Sequence, residues 1–198
     1  MRSTIKDGHI SVGMTASLTG RYGHPGRQAL AGVQAWVKDT NLSGGIRLGG
    51  QGPRLPVRLV HYDDASEASR CTDLTRRPIV EDRVDILMGP YSSGLSLRAA
   101  TVAQRHGRIL WNHGGASDSI YASGFEWVVG VLTPASMYFH GVLEMVRHSR
   151  PTATKVAIVH STAGAFPREV ASGAAEHSRT LGFDTVRVHE YGAGPSDF

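Results

Sequence analysis

The chain has 198 residues, 40% of them hydrophobic and 19% charged, the profile of an ordinary globular protein with room for one domain or two small ones. Its net charge of +4 comes from scattered basic residues, the densest pair being Arg76-Arg77, which argues against nucleic-acid binding. No apolar run is long enough to span a bilayer, and the stretch Met1-Arg2-Ser3-Thr4-Ile5-Lys6-Asp7-Gly8 has no apolar h-region, so no signal peptide is visible. Residues 1–8 read as a flexible N-terminus.

Ile10 to Thr15 is the first strand. Pro25 to Asn41 is a helix with Ala29, Val33, Trp36 and Val37 on its inner face; Pro25 suits the first turn and Gly44-Gly45 marks the stop. After the Gly/Pro-rich turn Gly49 to Pro53, Val57 to Tyr62 is a second strand and Ser66 to Asp82 a second helix. The single Cys71 forbids an intrachain disulfide, and its setting among Ala68, Leu74 and Thr75 favours a small buried residue over a reactive thiol.

The third pair carries more information. Ile86-Leu87-Met88 breaks at Gly89-Pro90-Tyr91 and delivers Ser92 and Ser93 to a helix running to His106. A helix N-terminus has unpaired N–H groups and partial positive charge, so beside a serine hydroxyl it suits a small carboxylate. Serine before a helix is also the commonest N-cap, and both roles stay open on these two residues. The construction repeats: Ile109-Leu110-Trp111-Asn112 opens into Gly114-Gly115-Ala116-Ser117-Asp118-Ser119. In an open parallel sheet both loops leave the carboxyl ends of strands, where such folds bind ligands, so one shared pocket is expected.

Glu126 to Val129 is a further strand. A helix from Thr133-Pro134 to about Ser149 turns Val142, Leu143, Met145 and Val146 inward, and Pro151 closes it. Lys155 to His160 and Thr185 to His189 are strands flanking a helix at Arg168 to Leu181, with Val170, Ala174 and Leu181 at helical spacing. This alternation predicts an α/β fold of doubly wound, mainly parallel sheets. The lobes are 9–130 and a partial second lobe at 131–198, which offers too few elements to be robust alone and ends in the loop-like 192–198; a natural continuation is expected.

At this point the residues match a known pattern. Val12-Gly13-Met14-Thr15-Ala16-Ser17-Leu18-Thr19-Gly20, Gly44-Gly45-Ile46, Tyr62-Asp63-Asp64-Ala65, Met88-Gly89-Pro90-Tyr91-Ser92-Ser93 and Ala157-Ile158-Val159-His160 are similar to the periplasmic solute-binding proteins of ABC importers for branched-chain amino acids, amides and related carboxylates. The resemblance runs from about Ile10 to the final Asp197-Phe198. It implies a type I periplasmic-binding-protein-like fold whose two lobes close on a small-molecule solute, here with the second lobe incomplete. It also implies a periplasmic or cell-envelope location, delivery to an ABC permease complex in the membrane, and no catalysis, cofactor or nucleic acid.

The same resemblance places Ser93 at the position whose hydroxyl holds the ligand carboxylate. Gly115, Ala116 and Ser117 fall on the loop offering carbonyl, N–H and hydroxyl groups to the solute. Tyr22 and Tyr91 fall on the pocket wall, Ser92 beside them, and Phe166 near an aromatic of the second lobe. Two positions that form a disulfide in some members are Ser66 and Ser92 here, and the family's acidic partner for a ligand ammonium falls beyond residue 198.

Rival readings are weaker. Asp63, Asp64 and Glu67 resemble a capping box more than a metal cluster, and none of the ten histidines has zinc-ligand spacing. Gly20 to Gly26 lacks the Lys-Ser/Thr of a phosphate loop, having Arg27-Gln28. A hydrolase needs Gly-x-Ser-x-Gly, which Gly89-Pro90-Tyr91-Ser92-Ser93-Gly94 does not supply. A ligand-sensing domain of a receptor or regulator shares the fold and is the alternative.

Overall fold

The structure, a computed structural model, describes residues 8–192. The expectations for 1–7 and 193–198 lie outside the described residues. The chain divides into two compact units, one of residues up to 115 with 124–131 and one of 116–123 with residues from 132 onward.

Unit 1 contains β1 (Ile10–Ala16), α1 (Gly23–Leu42), the short antiparallel pair β2 (Ile46–Arg47) and β3 (Arg54–Leu55), β4 (Val57–Asp63), α2 (Ala68–Val80), β5 (Ile86–Met88), α3 (Ser93–His106), β6 (Leu110–Asn112) and β7 (Val128–Gly130). Its five-stranded sheet runs β4-β1-β5-β6-β7, with every neighbouring pair parallel. The chain steps from β1 to one side and then returns to the other, so the strand order reverses between β1 and β5. That switch point is where open α/β sheets leave a crevice beyond the carboxyl ends of the strands.

β1 is buried from Val12 to Ala16, as a central strand covered on both faces must be. Its alternation divides the core. Met14 and Ala16 pack with Leu30 and Val33 of α1. Thr15 turns to the other face, where its hydroxyl lies 3.1 Å from that of Thr75 in α2. On that face Cys71, Ile79, Val84 and Leu87 join Leu95, Ala99 and Ala103 of α3. Burial pushes the Cys71 thiol up to about 12, which fits the expectation of an inert core cysteine.

Helix α1 corrects one expectation. Leu30, not Trp36, completes the inner face with Ala29, Val33 and Val37, and Trp36 is 43% exposed. The expected capping box is also absent in that form. Glu67 caps α2 without a side-chain bond, while the Asp64 carboxylate accepts the Ser66 N–H at 2.8 Å and the Ser17 hydroxyl at 2.6 Å.

Unit 2 contains α4 (Asp118–Ala122), a 3-10 turn at Ala135–Met137, α5 (His140–Ser149), β8 (Lys155–Ser161), α6 (Ala165–Thr180) and β9 (Asp184–Tyr191). β8 and β9 pair in parallel as a two-stranded sheet. The expected inward face of α5 is narrower than its sequence suggests: Leu143 is buried, whereas Val142 and Met145 are 46% and 62% exposed. On α6 the core is Ala171 and Ala174 against Ile158. Gly173 is there because a Cβ would run into the Ser136 backbone.

Candidate functional site

In unit 1 the candidate residues gather beyond β1, β5 and β6. The loop from Ser17 to Tyr22 is held by the Asp63 carboxylate, which accepts the Leu18 N–H at 2.8 Å, the Ala65 N–H at 2.9 Å and the Thr19 hydroxyl at 2.7 Å. Burial works to raise the Asp63 carboxyl; the hydrogen bonds from Thr19, Ala65 and Leu18 outweigh it and leave the group below its ordinary value. Its neighbour Asp64 is fully buried, and burial raises it against the bonds from Ser17 and Ser66. Ser66 adds a further tie, donating to the Thr19 carbonyl at 2.7 Å and accepting the Tyr22 N–H at 3.0 Å. The Tyr22 and Tyr91 rings lie 5.9 Å apart, so the two predicted wall aromatics meet at the switch point.

Of the two serines at the start of α3, Ser92 is the N-cap, its hydroxyl accepting the Leu95 N–H at 3.3 Å. Ser93 is the first helical residue. Ser92 has φ 86° and ψ 143°, a region that L-residues rarely adopt. It is held there by its N–H, which donates to the Gly114 carbonyl at 3.0 Å. The approach of these turns is close enough that a Cβ on Gly114 would run into the Pro90 carbonyl. A side chain is excluded at 114, and the loops after β5 and β6 are fastened together.

Asn112 and His113 take part, and sequence reading missed both. Asn112 is buried; its amide donates to the Gly115 carbonyl at 2.7 Å and accepts the Gly115 N–H at 3.0 Å. Gly115, a residue the resemblance places on the solute loop, is thus bonded to Asn112 through both its N–H and its carbonyl. His113 bonds the Gly89 backbone, and its Nε2 is buried with no partner among the described residues. Burial pushes the imidazole below its ordinary value, so the ring stays neutral. A polar pair closing an apolar strand was the available signal for Asn112; His113 had none.

In unit 2, Ala116 gives its carbonyl to the Ala135 N–H at 2.7 Å. Ser117 is 1% exposed and donates to Glu169 Oε1 at 2.8 Å, while Glu169 Oε2 accepts the Asp118 N–H at 2.9 Å. Glu169 lies 52 residues beyond Ser117, and nothing local in the sequence announces the pairing. Phe166 stands edge-on to Tyr138 at 5.4 Å and lines an apolar cavity of about 500 Å³ with Tyr138, Leu143, Val156, Ile158 and Val170. Among the described residues no group of His, Cys, Asp and Glu is placed to hold a metal ion.

A family model described as periplasmic binding protein matches residues 9–198. The chain belongs to the periplasmic binding protein family. Over 101 residues this periplasmic binding protein is 31% identical to a Leu/Ile/Val-binding protein homolog 2 of Brucella abortus, a match covering 51% of this chain and 25% of that relative. Among solved structures it is similar to the substrate-binding protein LivJ of Streptococcus pneumoniae in complex with isoleucine, with TM-score 0.76, 22% identity and coverage of 96% of this chain and 51% of that one. A solute-binding protein of Rhodopseudomonas palustris BisB5 in complex with 3,4-dihydroxybenzoic acid matches with TM-score 0.79 and 18% identity, covering 97% and 50%. These likenesses show the fold, the type I periplasmic-binding-protein plan expected from the sequence. The chain spans about half the length of these structures.

Proposed function

We propose that this chain binds a small carboxylate solute, an amino acid, amide or related acid of the branched-chain type, for delivery to the membrane permease of an ABC importer in the periplasm, without catalysing a reaction. The observation that carries this reading is the start of α3, where Ser92 and Ser93 sit at a helix N-terminus beside the β1/β5 switch point, with Tyr22 and Tyr91 together at the same strand ends. A helix N-terminus attracts a carboxylate through its N–H groups and partial charge. Ser92 caps Leu95 through a lone pair and keeps its own proton, so Ser93 supplies the main hydroxyl contact with Ser92 beside it.

The remaining contacts are Gly115, Ala116, Ser117 and Phe166. Two solved structures of similar fold contain isoleucine in one case and a dihydroxybenzoic acid in the other, and both solutes carry a carboxylate. That shared group is what the start of α3 is suited to hold.

The test is a thermal-shift and calorimetry screen of the full-length protein against L-leucine, L-isoleucine, L-valine, simple amides, benzoate and 4-hydroxybenzoate, since a ligand of the native state raises the melting temperature. Saturable binding of at least one carboxylate supports the reading. Binding of none rejects it.

A further inference from the structure

On the exposed loop before α1, the Arg21 guanidinium carbon lies 5.4 Å from the centroid of the Tyr22 ring, a cation–π contact. Among the described residues Arg21 makes no hydrogen bond and no ion pair, so the N–H donors of its guanidinium are uncommitted. Its neighbours differ. Arg27 is spent on the Leu18 carbonyl at 2.6 Å. The Asp63 oxygens are filled by the N–H groups of Leu18, Thr19 and Ala65 and by the Thr19 hydroxyl, so this carboxylate does not hold Arg21. The ring under the guanidinium is itself fixed: the Tyr22 N–H donates to Ser66 Oγ at 3.0 Å, and the ring meets Tyr91 at 5.9 Å. Tyr91 precedes Ser93 by two residues, so the stack sets a positive charge beside the start of α3. A guanidinium resting on an aromatic face is a planar fork already ordered, which suits bidentate capture of a carboxylate. An aliphatic side chain pressed against the same wall would strip water from that charge and give nothing back.

We propose that Arg21 is a specificity-determining residue that takes a second carboxylate, so that the solutes of this chain are dicarboxylates, one acid group at the start of α3 and the other on Arg21. This rests on the reading of the start of α3 as a carboxylate site. It narrows that reading from acids in general to acids with two negative ends. Because Arg21 is exposed, the contact is screened by salt, and the preference for a second carboxylate falls as ionic strength rises.

The experiment is calorimetry of the full-length protein at low ionic strength with two pairs of probes in which a methyl group is exchanged for a carboxylate. They are 3-methylpentanoate against 3-methylpentanedioate and 4-methylbenzoate against terephthalate. Wild type is expected to prefer the dicarboxylate of at least one pair. Arg21→Gln is expected to reduce that preference by about tenfold, the worth of one hydrogen-bonded charge pair. Arg21→Lys keeps the charge without the fork and should restore part of it. Arg105→Gln removes the same charge from the last turn of α3 and should leave the preference unchanged. Added salt should lower the preference of wild type more than that of Arg21→Gln. An unchanged preference in Arg21→Gln, or an equal loss in Arg105→Gln, overturns the proposal. A wild type that favours the monocarboxylates overturns it while leaving the proposed function standing. A wild type that binds none of the four also overturns it, and the proposed function is then decided by the solute screen alone.

Discussion

Ser92 carries backbone strain that its neighbours impose. Its φ of 86° costs a residue with a Cβ, and glycine is at ease there. Since glycine is almost as good an N-cap as serine, Ser92→Gly is expected to stabilise the protein by about 1 kcal/mol, read as a higher urea midpoint. Ser92→Ala keeps the strain and loses the bond to Leu95, so its midpoint should fall. A lower midpoint for Ser92→Gly contradicts the strain. His113 gives a pH dependence with a definite sign. Its folded-state value lies below the ordinary 6.5 because burial disfavours the charged ring. Its neutral form therefore contributes stability that is present above 6.5 and lost as pH falls from there toward the lower folded value. Urea unfolding between pH 5 and pH 8 should show this loss, and His113→Gln should lessen it. An equal slope in both proteins removes His113 from the account.

At the scale of elements, the contact between the turns after β5 and β6 fixes where α3 begins. Gly114→Ala inserts a methyl group against the Pro90 carbonyl and should cost about 1–3 kcal/mol in stability, with weakened solute binding because α3 must shift. A variant with wild-type stability and affinity shows that the turns can part without consequence. The same elements show what was legible in the sequence. The alternation of strands and helices, the serine-led start of α3 and the burial of Cys71 follow from local patterns, since period and capping residues are local. Periodicity alone puts Trp36 on the inner face of α1, since it is apolar and correctly spaced, yet its bulk lies outside and Leu30 fills the space at β1. On α5 the apolar Val142 and Met145 are exposed for no reason that periodicity contains. α4, with five residues, and the two-residue strands β2 and β3 are too short to leave a periodic signal.

Across the whole molecule the two units differ in how much they bury. Unit 1 closes a five-stranded sheet between helices, whereas unit 2 rests on two strands whose Val159, Val186 and Val188 are 61%, 57% and 52% exposed. Within these 198 residues the two-stranded sheet has little cover. Amide exchange of the 198-residue chain should therefore be slowest in β1 and faster by orders of magnitude in β8 and β9. Uniform protection across both units contradicts this. Residues 116–123 fall with unit 2, and the bonds of Ser117 and Asp118 to Glu169 and Ser136 leave no local signal in the sequence because those partners are distant from them.

In the proposed function, Ser93 and the start of α3 hold the solute carboxylate. Calorimetry of the full-length protein with the tightest solute from the screen, its carboxylate-free alcohol analogue, and the Ser93→Ala variant measures this directly. The alcohol is expected not to bind, and Ser93→Ala is expected to weaken the acid by about 1–3 kcal/mol. Equal affinity of the variant for the acid, or tight binding of the alcohol, contradicts it.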